Sequence, residues 1–303
     1  MIQTSPKDSS IETSVCSAAQ GFLETSLEFS RRLEGGYEAI VLRAECSQGS
    51  VVIHVSPVWR TRAELEWSYC VARVAQRYVP EIVLPIQREN QSVFEWNSRM
   101  VAVFPFIEGS ALERENLELR IQAAKCLARI HRALLNWQGG DRPKSSNNGG
   151  LYEVTDLNDA ALDVWWKSIN DSANRLLTSA THGDYYRNNL LCTGDRVVGI
   201  IDWHDALVRP LALELAGAIF EFSRDDQHFF QIDRAEDFIA GYITAGGPVP
   251  RSELELLVPL IRLWIRSDVM ASLRFGATVG DEYVDKQIRA FQSWKGVQWV
   301  PRA

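Results

Sequence analysis

Between Phe29 and Val55, β-branched and apolar runs alternate with turn signals. EFSRRLE leads into Gly35-Gly36, then EAIVLRAE, then the turn CSQGS, then VVIHV. Glycine pairs and Ser-Gln-Gly-Ser between such runs predict successive antiparallel strands. From Arg60 to Tyr78 the spacing becomes helical. Leu65, Tyr69 and Ala72 share one face, and Trp67, Val71 and Val74 share another, until Pro80 ends the helix. EIVLPIQ, SVFEW and RMVAVFPF predict two or three further strands, the last running into an apolar connector that closes at Gly109. Beyond it the pattern is mostly helical. Leu117 to Trp137 is amphipathic, Gln138 to Gly150 reads as a loop, and Val154 to Leu177 is helical again. Further helices are expected near 211–224, 235–245, 252–275 and 283–294.

This layout is α+β: a small antiparallel β-rich lobe over residues 17–106, a connector, and a larger, mainly helical lobe over 107–303. Residues 1–16 are rich in Ser, Thr and Asp and predict a poorly ordered tail.

Composition narrows the function classes. The 303-residue chain can bury a large core. Its formal net charge is −7 and it has no Lys/Arg run, which argues against nucleic acid as a partner and slightly favours a cationic small molecule. Cys16, Cys46, Cys70, Cys126 and Cys192 are scattered singly, which gives neither a disulfide framework nor a zinc motif. Reduced thiols and a cytoplasmic location are the expectation. The polar N-terminus predicts no signal peptide, and no apolar run is long enough to span a bilayer.

The candidate chemistry lies in Thr181–Trp203, THGDYYRNNLLCTGDRVVGIIDW. Asp184 and Asn189 stand in Asp-x4-Asn spacing, and Asp202 ends the apolar run Val198–Ile201. Phosphoryl transfer needs a carboxylate to take the proton of an attacking hydroxyl. It also needs an amide oxygen and a second carboxylate to hold the metal ions on the phosphates. Asp184 suits the first task, although Asp is also a common turn cap. Asn189 and Asp202 suit the second, with Asn188 and Asp205 as neighbouring alternatives.

HGDYYRNNLL, GIIDW and LELA occur in that order, after a connector ending Ile-Glu-Gly and a helix containing LARIHR. In these motifs, from about Phe29 to Phe275, the chain resembles the aminoglycoside phosphotransferase and choline kinase family of small-molecule kinases. The resemblance implies a bilobed protein-kinase-like fold, ATP and Mg²⁺ as cofactors, and a small hydroxylated substrate, with no nucleic acid or membrane partner. It implies Asp184 as general base and Asn189 and Asp202 as metal ligands. His182 would brace the loop. Glu214, where the family usually has Asp, would bond loop amides. Arg187 would touch the transferred phosphate or pair with an acid such as Glu214. Gly35, Gly36 and Tyr37 match the phosphate-covering turn. Phe104, Pro105, Phe106 and Ile107 match the adenine hinge, with the Pro105 carbonyl and the Ile107 N–H as contacts.

One position departs from the pattern. Kinases of this fold carry a Lys on the third strand, paired with a helix Glu; here the residue is His54, with Glu64 or Glu66 as the helix partner. Arg43, Arg60 or Arg62 would have to supply the missing charge. The acids Glu221, Asp225, Asp226, Asp233, Glu236 and Asp237, with Trp165, Trp166 and Trp264, point to an amine-bearing alcohol as acceptor. The competing reading, raised by His54, is a nucleotide-binding protein of this fold without catalytic turnover.

Overall fold

The computed structural model describes residues 6–33, 39–143, 154–171 and 175–302. Gly35, Gly36 and Tyr37, the expected phosphate-covering turn, lie outside them.

Strands β1 (Glu28–Arg32), β2 (Ile40–Cys46), β3 (Gly49–Val55), β4 (Phe94–Trp96) and β5 (Arg99–Pro105) form an antiparallel sheet in the order β1-β2-β3-β5-β4. Side chains alternate across a strand, so register decides which ones reach each face. Val51, Ile53 and Val55 of β3, Val101 and Val103 of β5, and Leu42 and Ala44 of β2 share one buried cluster. His54 on β3, opposite Ala102 of β5 and Val41 of β2, therefore points to the other face.

Helix α1 (Pro6–Leu23) covers the first face with Val15, Cys16 and Ala19. This corrects the expected poorly ordered tail for residues 6–16, residues 1–5 lying outside the described ones. The Ser/Thr-rich composition masks apolar residues at helical spacing, and the sheet stabilises the helix by burying them.

Helix α2 (Arg62–Gln76) packs Leu65 and Tyr69 against Ala102, Met100 and Phe104 on the opposite face. It starts at a capping box: Thr61 Oγ1 accepts from Glu64 N–H (3.2 Å), and Glu64 Oε2 accepts from Thr61 N–H (2.9 Å). Residues 81–87, expected as a strand, form no strand. They run extended beside the second lobe, with Ile82 bridging Ile200 and Val83 N–H donating to Ile200 O.

In the helical lobe, α3 (Leu117–Leu134) is capped by Asn116 and packs on α5 (Leu211–Ser223) and α6 (Ile232–Thr244). The helix expected over 154–177 resolves into a 3-10 turn at Thr155–Leu157 and α4 (Ala160–Asp171). That expected over 252–275 divides into α7 (Arg251–Leu254) and α8 (Leu257–Arg274), and α9 (Glu282–Ser293) follows.

Three short antiparallel pairings hold the candidate site. Strand β6 (Ser110–Ala111) pairs with β8 (Leu190–Thr193), which pairs with β9 (Arg196–Ile200). Strands β7 (Thr178–Thr181) and β10 (Leu207–Pro210) pair from Thr178↔Pro210 to Thr181↔Leu207. The loop 182–189 and the turn 201–206 therefore both emerge from fixed ends. No described helix is long and apolar enough to cross a membrane.

Candidate active site

The loop Thr181–Asn189 is built on backbone bonds that only certain residues permit. Gly183 has φ +92, and a Cβ there would lie 1.8 Å from the backbone oxygen of Asp205. The loop and the Asp202–Asp205 turn touch backbone to backbone at this point, which requires glycine. Gly183→Ala is expected to drive the two segments apart and lower turnover by roughly 10²-fold, because misplacement by about 1 Å is enough for a loss of that size. Steady-state kinetics on the folded variant checks this.

His182 is fully buried and braces the loop. Its Nε2 donates to Ile201 O (3.0 Å), so its Nδ1 is free to accept from Asp184 N–H (3.3 Å). Burial holds its pKa below the usual imidazole value, against the opposing pull of Glu214 and Asp202. Glu214, on α5, accepts from Gly183 N–H (2.7 Å) and His182 N–H (3.3 Å). It also binds His131 Nε2 (2.9 Å) and Arg209 Nη2 (3.1 Å). Burial opposes its ionisation, but the His131 bond and the Arg209 charge outweigh burial and hold its pKa down at about 2. The longer Glu side chain thus reaches the loop amides expected of the shorter Asp. Arg187 pairs with no acid among the described residues. Its Nε donates to Leu112 O (3.1 Å), and Arg209 takes the place beside Glu214.

Asp184, Asn189 and Asp202 come together. Asn189 Nδ2 donates to Asp184 Oδ2 (3.0 Å) and to Asp184 O (2.8 Å), and Ile201 N–H donates to Asn189 O (3.0 Å). With both of its N–H groups committed, the Asn189 amide leaves its oxygen for a cation. Asn188 is exposed. Burial pushes the Asp184 carboxyl well above the usual carboxylate range, with Asp202 and Asp205 adding to it and the Asn189 bond opposing.

Asp202 sits in the left-handed region, φ 62 and ψ 63, which a non-glycine residue adopts at a cost of about 1 kcal/mol. Its Oδ1 binds His204 Nδ1 at 2.6 Å, and His204 Nε2 binds Tyr69 OH at 2.7 Å. A carboxylate only accepts, so Nδ1 carries the proton. Burial works against the Asp202 charge, but His204, His54 and His182 prevail and hold its carboxyl far below the usual range.

His204 and Tyr69 are the contributors that sequence reasoning missed. The only available signal was Asp-x-His at 202–204, together with a helix face bearing Tyr69 toward it. His54 stacks on His204 with ring centroids 4.3 Å apart. Burial, aided by His204, pushes the His54 pKa down to about 3, so its ring is neutral at physiological pH. The missing lysine charge is not restored at this position.

Neither expected glutamate partner reaches it. Glu66 accepts from Ser92 N–H (2.7 Å) and lies 3.9 Å from Arg73. Glu64 is occupied by the helix cap and by Arg142 (3.0 Å). Two residues apart on a helix, the two side chains point in nearly opposite directions, and each is already bonded. Of the three arginines considered, Arg60 is the one at the site: it donates to His204 O (3.1 Å) and to Asp205 Oδ1 (2.8 Å). Arg43 lies over the Phe106 ring at 4.0 Å, and Arg62 donates to Val93 O (2.6 Å).

In the expected hinge, Phe104 lies edge-on to Tyr69 (5.9 Å) and His204 (6.3 Å). Pro105 ends β5, and Phe106 N–H donates to Ser50 O (3.0 Å). Ile107 packs toward Gly199 of β9. A depression of about 530 Å³ near Leu23, Ser50 and Pro105 includes none of Asp184, Asn189 and Asp202.

No described group of three or more His, Cys, Asp or Glu side chains can hold a metal alone. The donor set still fits Mg²⁺, which takes few protein oxygens and completes its shell with water and phosphate. The Asn189 amide oxygen and Asp202 Oδ2 are oxygen donors that carry no hydrogen bond among the described residues.

The fold and this constellation place the protein among phosphotransferases with a protein-kinase-like fold. The chain belongs to the phosphotransferase enzyme family, whose model matches residues 31–256. Among solved structures it resembles aminoglycoside phosphotransferase APH(4)-Ia, with TM-score 0.64, 16% identity and coverage of 94% of this chain and 99% of that one. It also resembles the macrolide 2'-phosphotransferase of Brachybacterium faecium, with TM-score 0.57, 15% identity and coverage of 89% and 96%. Its sequence relatives include homoserine kinases from Chelativorans sp. (strain BNC1), 24% identical over 59% of each chain, and Methylobacterium radiotolerans, 25% identical over 58% of each. The match thus spans less than two thirds of the length of these relatives.

Proposed function

We propose that this protein moves the γ-phosphate of Mg-ATP to a hydroxyl of a small molecule, with amine-bearing acceptors favoured: an aminoglycoside, an amino alcohol or a homoserine-like compound. The observation that carries this reading is the contact of Asn189 with Asp184, with Asp202 beside them at the end of the segment whose Ile201 N–H donates to Asn189 O. The Asp184 carboxyl is raised well above the usual carboxylate range by burial and by Asp202, and Asp202 is bonded through Oδ1 to His204. Bound Mg²⁺ would neutralise charge on the phosphates, with Asn189 and Asp202 as its protein ligands. Asp184 would orient the acceptor hydroxyl and take its proton. His182 and Glu214 hold the loop, and His204 with Tyr69 fixes the Asp202 carboxylate. The test is ADP release with Mg-ATP over a panel of hydroxylated amines, sugars and amino acids. ADP formed with one acceptor class supports the proposal.

A second reading, nucleotide binding without turnover, is favoured by one observation: neutral His54 in place of Lys. Mg-ATP binding measured by calorimetry, with no ADP formed from any acceptor, would select it.

The His204 contact to Asp202 carries its own prediction. Partners that orient a metal ligand typically contribute 10–100-fold in metal affinity. His204→Ala is therefore expected to raise the Mg²⁺ concentration for half-maximal nucleotide binding by about that factor, read by calorimetry at varied Mg²⁺. Tyr69→Phe should give a smaller change in the same direction.

A further inference from the structure

Resting on the phosphotransferase reading, we propose that Arg114, with Arg224 and Glu221, forms the acceptor subsite, and that the subsite takes a hydroxylated molecule bearing a carboxylate beside its ammonium group. The pattern of acids along the sequence pointed to an amine-bearing alcohol as acceptor. The packed structure brings buried arginines among those acids.

Arg114 follows the connector, close to the catalytic loop: Leu112 N–H donates to Arg187 O and to Leu190 O, both at 3.1 Å. Arg114 is 5% exposed, yet among the described residues its side chain makes one hydrogen bond, from Nη2 to Asp226 Oδ1 (2.9 Å), a carboxylate that is mostly in solvent. Its Nε and Nη1 are buried without a partner among the described residues. Arg224 donates to Glu221 Oε2 (2.6 Å) and contacts His228, and its Nε is likewise unpartnered. Glu221 is 2% exposed, and its Oε1 has no hydrogen-bond partner among the described residues.

Glu221 lies seven residues beyond Glu214 on α5, two turns along the same face and about 10 Å away. Glu214 holds the loop that carries Asp184, so the same helix face presents Glu221 one small-molecule length further on. Asp184 and Glu221 both act on the Tyr186 phenol, whose pKa is raised first by burial and then by Asp184. The Arg114 pKa is lowered by burial and by Arg224, against the pull of Glu221 and Asp226.

A buried donor or acceptor left unsatisfied costs about 1–3 kcal/mol, so such groups call for a partner such as water, an ion or a ligand. A guanidinium fork matches a carboxylate in two parallel hydrogen bonds. Glu221 Oε1 matches an ammonium donor. A hydroxylated α-amino acid supplies both groups, with its hydroxyl left for Asp184.

The test compares homoserine with the matching amino alcohol that lacks the carboxylate and with an aminoglycoside, on wild type, Arg114→Gln and Arg114→Lys. Binding is measured by calorimetry in the presence of a non-hydrolysable ATP analogue, and turnover is measured by ADP release. Wild type is expected to bind and turn over the amino acid roughly 10⁴-fold better than the amino alcohol, the scale on which a site built to hydrogen-bond a group rejects an analogue lacking it. Arg114→Gln should lower binding and turnover of the amino acid far more than those of the amino alcohol, so that the preference is lost, and Arg114→Lys should restore part of it. Equal losses for both acceptors in Arg114→Gln would mean a structural role and overturn the proposal, as would wild-type preference for the aminoglycoside or absence of amino-acid binding. Carboxylate-dependent binding without ADP would retain the subsite and reject the phosphotransfer reading instead.

Discussion

Replacing Asp184 with Asn is expected to lower turnover by roughly 10²–10⁴-fold, the usual contribution of a positioned general base, while Mg-ATP still binds. The substitution keeps the shape of the side chain and removes only its basicity and charge. It should also stabilise the ligand-free protein. Burial and the charges of Asp202 and Asp205 raise the Asp184 pKa in the folded state. A raised carboxyl contributes stability that is fully present below the unfolded-state pKa and is lost as pH rises through the folded value. At pH 8 in EDTA the Asn variant should therefore melt at least about 2 °C above wild type, with the gap closing toward pH 4. Kinetics and melting on the same preparations check both halves. A variant that melts lower at pH 8 would mean that Asp184 is a structural cap, its bland alternative.

Glu214 is expected to behave in the opposite sense. Its buried carboxylate accepts from two loop amides, His131 and Arg209. Breaking one partner out of a buried ionic set typically costs about 3–5 kcal/mol. Glu214→Gln should therefore lower stability on that order and, by loosening Gly183, reduce turnover as well. The pH sign follows from its depressed pKa, about 2 against the ordinary 4.5. The stabilisation, about 3 kcal/mol, is present above pH 4.5 and disappears as pH falls toward 2. Denaturant unfolding of wild type and variant should differ most near neutral pH and converge in acid. A constant difference across that range would show that packing, not charge, accounts for the loss.

The sheet was legible because strand periodicity and turn residues agree from Phe29 to Val55, and β2 and β3 fall where that pattern puts them. Helix α1 was not legible, because composition hid the Val15, Ala19 and Leu23 spacing and its stability comes from the sheet it covers. At the site, Asp-x4-Asn spacing brought Asp184 and Asn189 into direct contact, since one turn of loop spans that distance. The Tyr69 brace on the Asp202–His204 pair was hidden for a different reason. The contact of Tyr69 with His204 joins residues 135 apart in sequence, and no local period encodes it. The search for a lysine substitute likewise could not separate Arg43, Arg60 and Arg62, because only strand register and the turn after Trp203 decide which of them meets Asp205.

The central claim is that Asp184, Asn189 and Asp202 form a phosphoryl-transfer centre. The most direct measurement is phosphorus NMR of Mg-ATP with an acceptor selected by the panel, run in parallel on wild type and Asp184→Asn. The account predicts that wild type loses the γ-phosphate signal as a phosphate monoester appears on the acceptor in equal amount, and that the variant leaves ATP intact. ADP with free inorganic phosphate alone, or the same monoester formed equally fast by the variant, would contradict it.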